Sequence, residues 1–162
     1  MAAALMYEVF GTSADYFSAL YGKNIPDWLN FVGREVVIVD FSFSAKTASD
    51  LMRIISEAER VIWIDHHESS FRGLSKLLCP DRDIVHVITT PIYEDIVFAV
   101  PGIRGGKTLT VCLDTSACGS MLVAKRYEAK LDENKARLLN EVDAYDRWQK
   151  TEISDFVHGD WD

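Results

Sequence analysis

The sequence predicts an α/β fold, a mostly parallel sheet flanked by helices, within a single domain over residues 1–162. Two observations carry this expectation. Val36-Val37-Ile38-Val39 and Val61-Ile62-Trp63-Ile64 are uninterrupted apolar runs, the pattern of strands buried on both faces as parallel sheets require. Between them Leu51, Ile54, Ile55 and Ala58 recur at helical spacing. Strand, helix and strand then form one βαβ unit, and its nearly invariant right-handed crossover brings both strand tips to one side of the sheet.

The other elements follow in order. Ala2 to Val9 is rich in helix formers and Gly11 stops it. Ala14 to Tyr21 is expected as a short strand closed by Gly22, and Asn24 to Asn30 as a surface connection. The first buried strand runs from Val36 to Ser42. The helix after it spans Thr47 to Arg60, with Ala45, Thr47 and Ser49 as small residues and caps at its start. A short helix is expected over Phe71 to Leu78, ended by Pro80. Strands are expected at Ile84 to Ile88, Ile96 to Val100 and Leu109 to Leu113, the last two joined by a glycine-rich connection, as a hairpin or a longer excursion needs. A helix capped by Thr115 or Ser116 runs to about Lys130. Another begins near Asp132 and turns Ala136, Leu138, Leu139 and Val142 inward.

Composition narrows the class. The chain has 162 residues, 48% hydrophobic and 26% charged, enough for one globular core. A net charge of −8 argues against broad binding of nucleic acid through a basic surface. It leaves a nucleotide substrate open, because a bound cation supplies positive charge locally. Cys79, Cys112 and Cys118 form no C-x-x-C pair, and the odd count suits reduced thiols. No apolar run approaches a membrane span and the N-terminus lacks a secretory signal. A soluble, cytoplasmic protein is expected.

Chemistry concentrates where the two buried strands end. Asp65-His66-His67 follows Ile64, and Asp40 occupies the equivalent place after Val39. Ligands in open parallel sheets bind beyond such carboxyl ends, and carboxylates with imidazoles suit Mn, Fe or Zn. His86, flanked by valines within a strand, is expected to be structural. Pro101 to Thr108 misses the phosphate-loop pattern only at its first position, but a strand rather than a helix follows, which argues against nucleotide triphosphate binding. Thr115 to Ser120 opens a helix whose free amides can hold a phosphate oxygen. Asp143 and Asp146 share one helical face, though alone they also describe a solvated acidic turn.

Together, Val36 to Ser42, Ile64 to His67, Thr115 to Cys118 and Asp143 to Trp148 resemble successive motifs of the DHH phosphoesterase superfamily. Its members include single-strand exonucleases, oligoribonucleases, cyclic-dinucleotide phosphodiesterases and inorganic pyrophosphatases. The resemblance implies a manganese-dependent hydrolase, with Mg²⁺ or Co²⁺ as substitutes, acting on a nucleotide or short oligonucleotide. It implies that Asp40 bridges two metals, that His66 ligates one, and that His67 faces the phosphate or leaving group. Asp65 would support the metal or orient its water. An acid from the late segment would complete the second metal, with Asp143 and Asp146 as alternatives. Ser116, Ala117 and Cys118 would help to place substrate.

Two departures accompany the resemblance. The family's first motif, a His followed by two acids and a Gly on an inner first strand, would immediately precede Ala2. Without it the first metal keeps only Asp40, so one ion rather than two is a consequence. The family's C-terminal substrate domain has no counterpart after Trp148. Three readings follow: a minimal or truncated phosphodiesterase, a catalytically degenerate nucleotide- or protein-binding module, and a start codon placed too late. A missing inner strand further predicts a rearranged sheet or a homo-oligomer or partner chain covering the open sheet edge.

Overall fold

In a computed structural model of the chain, residues 1–67, 84–89, 94–99, 107–147 and 149 are described; side chains are described for all of these outside 84–99, where only Asp95 and Val97 are. Helix α1 (Ala2–Phe10) leads through a short 3-10 turn to a long connection. Strand β1 (Glu35–Val39), helix α2 (Ala48–Glu57) and strand β2 (Arg60–Asp65) follow. Strands β3 (Ile84–Thr89), β4 (Glu94–Ala99) and β5 (Thr108–Leu113) precede helices α3 (Gly119–Arg126) and α4 (Glu133–Asp146). The fold is α/β.

The strands form one sheet in the order β1-β2-β5-β4-β3. β1, β2 and β5 are mutually parallel, with Val39 opposite Ile64 and Ile64 opposite Cys112. β4 is antiparallel to both β5 and β3; the first pairing is the hairpin alternative for the glycine-rich connection, and the second departs from a mostly parallel sheet. Chain length explains it. Four residues separate β3 from β4 and eight separate β4 from β5, whereas a parallel crossover needs a dozen or more. β1 pairs directly with β2 along its whole length, so no inner position between them stands open.

Period-two alternation divides the parallel strands between two faces. Ile38, Val61, Trp63, Leu109 and Val111 pack with Leu51, Ile54 and Ile55 of α2. Ile62, Ile64 and Cys112 pack with Leu5 and Met6 of α1, Leu122 and Val123 of α3 and Leu139 of α4. Burial on both sides accounts for the continuous apolar runs. A buried ion pair between Arg126 and Asp95 joins the end of α3 to β4.

Several local expectations change. The stretch from Ala14 to Tyr21 is not a strand; it runs alongside β1 from an Arg34–Asp15 ion pair (2.5 Å) to a Tyr21 hydroxyl bond with the Asp40 carbonyl (3.4 Å). The next connection is tied to α2, since Asp50 accepts from the Ile25 amide and Arg53 donates to the carbonyls of Ile25, Pro26 and Leu29. α3 starts at Gly119, later than the Thr115 or Ser116 cap predicts: Cys118 is its cap, and its sulfur accepts from the Met121 amide. On α4, Asp132 caps as expected, but Leu138 is exposed and Leu139 alone of the four named apolar residues is fully buried. The helix expected over Phe71 to Leu78, most of the connection from Pro101, the His86 side chain, Trp148 and the last dozen residues lie outside the described residues. Lys107 leads directly into β5, so no helix follows the near-match to a phosphate loop.

Candidate metal centre

The site forms where β1 and β2 end side by side. Continuing the register past Val39–Ile64 sets Asp40 beside Asp65, and the Asp40 amide donates to the Ile64 carbonyl at 3.0 Å. Asp40 has φ 51°, a left-handed conformation that non-glycine residues adopt sparingly and that Asp tolerates better than most. The chain thereby turns off the sheet at the carboxylate.

Asp65 is 1% exposed and fully engaged. Its Oδ2 accepts from the Ser42 hydroxyl at 2.6 Å, and its Oδ1 accepts from the His66 amide at 2.8 Å. Oδ1 also lies 2.7 Å from His67 Nδ1. A proton on Nδ1 completes that bond and turns Nε2 of His67 outward, the logic by which a carboxylate fixes an imidazole tautomer. Asp65 is therefore a positioning group for His67.

His66 faces the other carboxylates. Its Nε2 lies 3.5 Å from Asp40 Oδ1 and 3.1 Å from Asp146 Oδ2. The atom is buried, yet its geometry makes a hydrogen bond with neither. Donor atoms from Asp40, Asp65, His66 and His67 lie within 4.8 Å of one another. Burial, and next the Asp146 carboxylate, raise the pKa of Asp40, with His66 partly opposing. Two carboxylates that repel each other around an unpaired imidazole nitrogen form a mixed oxygen and nitrogen donor set that a divalent transition ion would satisfy. These residues fit a metal.

The structure separates the two late acids. Asp143 is 7% exposed and its carboxylate is taken up by other partners. Its Oδ1 accepts from the Cys118 amide at 2.6 Å, and its Oδ2 accepts from Arg147 Nη2 at 2.6 Å and Nε at 3.1 Å. Asp146, one turn on and exposed, faces His66. Burial would raise the pKa of Asp143, but the Cys118 amide and Arg147 outweigh it and hold the carboxyl below its usual range. Folding thus favours the ionised form. Its contribution is complete above the unfolded value of about 4 and is lost as pH falls through the lower folded value. Asp143→Ala is expected to remove about 2 kcal/mol, since a buried amide loses its acceptor. Urea denaturation should show the gap between variant and wild type shrinking on acidification.

Ser116, Ala117 and Cys118 do not form the expected substrate contact. Ala117 and Cys118 are buried, the Cys118 amide is taken by Asp143, and Ser116 is exposed with its amide on Asp114. Burial raises the Cys118 thiol, which suits a capping residue rather than a nucleophile. Burial likewise pushes the Cys112 thiol up to about 11.

Four residues of the neighbourhood were not singled out by motif. Ser42 holds Asp65, and Arg147 holds Asp143. Tyr145 lines a pocket of about 390 Å³ with His66, His67 and Asp146, a volume within the range of small-molecule sites. Gly119 abuts Asp40: a Cβ built there would stand 2.5 Å from Asp40 Oδ1. Ser42 and Tyr145 lie within the quoted motif stretches and Gly119 within the helix-opening run from Thr115, but no role in the site attaches to any of them by sequence. Gly119→Ala is expected to displace the Asp40 carboxylate and to weaken Mn²⁺ binding about 10- to 100-fold, as changes beside metal ligands do. Its melting temperature would fall less than that of a core truncation, and titration with Mn²⁺ measures the first effect.

No family model, no curated protein and no solved structure matches the chain. Among the described residues no helix is long and apolar enough to cross a membrane.

Proposed function

We propose that the chain is a divalent-metal-dependent phosphoesterase of the DHH type, hydrolysing phosphodiester bonds of short oligonucleotides or cyclic dinucleotides at a single Mn²⁺ site. The observation that supports it most is His66 Nε2, buried and without a hydrogen bond between Asp40 and Asp146, beside an Asp65–His67 pair at a pocket. Asp40, His66 and Asp146 would hold the ion. When bound, Mn²⁺ supplies Lewis-acid polarisation of a phosphoryl oxygen.

The chain's own residues supply the rest. Ser42 keeps Asp65 oriented by donating to Oδ2, and Asp65 keeps the His67 ring fixed through Nδ1. The outward Nε2 of His67 can then give a proton to the leaving oxygen as water forms the new bond to phosphorus and the ester bond breaks, a contribution of about 100- to 10,000-fold for positioned acids. The same donor set on a binding module would hold metal and nucleotide without turnover.

Hydrolysis of the dinucleotide ApA, whose alkoxide leaving group needs a proton, with Mn²⁺ and with and without chelator, tests the reading. Chelator-sensitive turnover that falls at least about 100-fold in His67→Ala, while Mn²⁺ still binds, is the expected result. Metal binding with no turnover in the wild type supports the binding module, and no metal binding rejects both.

A further inference from the structure

Tyr21 is not needed to hold a metal or to move a proton, yet its hydroxyl reaches the backbone of Asp40 beside the site. It is 62% exposed, although one face of its ring is stacked on Phe41 at 5.1 Å between centroids and 18° between planes. Its hydroxyl donates to the Asp40 carbonyl, which ties the ring to the strand end that presents the candidate ligand.

The support behind the ring is rigid. Phe41 meets Phe43 edge-on at 5.2 Å, and Phe43 meets Trp63 edge-on at 6.1 Å. Trp63 in turn donates its indole N–H to the Phe41 carbonyl at 2.9 Å. Phe41, Phe43 and Trp63 are each below 9% exposure. Aromatic pairs prefer such offset-stacked and edge-to-face arrangements, and a ring backed in this way offers its free face at little entropic cost. Gly22, at φ 72°, turns the chain immediately after Tyr21 and keeps the ring at the surface.

We propose that Tyr21 is a stacking platform for a nucleobase of the substrate, which makes the site selective for nucleotide esters over inorganic or sugar phosphates. The inference rests on the phosphoesterase reading above and adds to it the part of the substrate away from phosphorus. Stacking on one aromatic face tolerates any base, so discrimination falls between nucleotides and phosphates without a ring. A neutral base also suits an acidic surround in which a second phosphate would be repelled.

The test is calorimetric titration of the Mn²⁺-loaded full chain with AMP and with ribose 5-phosphate. AMP should bind wild type at least about fivefold tighter than ribose 5-phosphate, the lower end of what base–aromatic stacking contributes. Tyr21→Leu should bring AMP down to the ribose 5-phosphate affinity and leave ribose 5-phosphate itself unchanged, which also shows that the variant is folded. Tyr21→Phe should keep the AMP advantage. An AMP advantage that survives Tyr21→Leu, or that is lost in Tyr21→Phe, overturns the platform and leaves the phosphoesterase reading standing. Failure of the Mn²⁺-loaded wild type to bind either ligand overturns both.

Discussion

His66→Ala is expected to lower Mn²⁺ affinity by more than about 100-fold, because changing groups that only orient a ligand already costs 10- to 100-fold. Asp40→Ala should do the same. In both variants hydrolysis of a generic phosphodiester would fall to the chelated background. The contrast within α4 sharpens the test. Asp146, 3.1 Å from His66 Nε2, should behave like a ligand, whereas Asp143, committed to Cys118 and Arg147, should lower stability more than it lowers metal affinity. Mn²⁺ titration followed by electron paramagnetic resonance, beside urea denaturation of the same four variants, reads both effects. The reverse order for the two acids would move the site one turn along the helix.

That contrast shows where the sequence stops being readable. Asp40 and the Asp65-His66-His67 run are legible because two apolar runs of equal kind end in polar residues, and parallel pairing must set their ends together. Asp143 and Asp146 are legible only as a pair, because helical spacing places both on one face. What divides them is tertiary: the Cys118 amide arrives at the cap of α3, and Arg147 closes on the same carboxylate. α3 starts later than cap propensity predicts for a related reason. Thr115 and Ser116 are better caps by propensity than Cys118, but they lie in a turn in which the Ser116 amide is held by Asp114, and the helix starts only where the Cys118 amide meets Asp143 and Gly119 passes Asp40. The antiparallel half of the sheet was readable in principle, from connections too short for crossovers. Tyr21 carries no motif, and its place beside Asp40 arises from a connection that runs beside β1 without joining it.

Trp63→Ala is expected to cost about 3–5 kcal/mol, the range for truncating a buried aromatic, against about 5–15 kcal/mol for a domain as a whole. Trp63 is 1% exposed and lies at the centre of the face that packs on α2. Its consequence for the site follows from the period of the strand. Trp63 and Asp65 project to the same side of β2, and each reaches across to the chain leaving β1: Trp63 Nε1 to the Phe41 carbonyl, and Asp65 Oδ2 to the Ser42 hydroxyl. These successive bonds hold residues 41 and 42 where Asp40 turns off the sheet. Removing the indole leaves a cavity and a buried carbonyl without its donor, so the turn loosens from its core side. Trp63→Phe keeps most of the packing and loses only the N–H, and should cost about 1–2 kcal/mol. If the bond to Phe41 positions the site, Trp63→Phe will weaken Mn²⁺ binding out of proportion to its small effect in urea denaturation. If Trp63 serves packing alone, metal affinity in Trp63→Phe will equal that of the wild type.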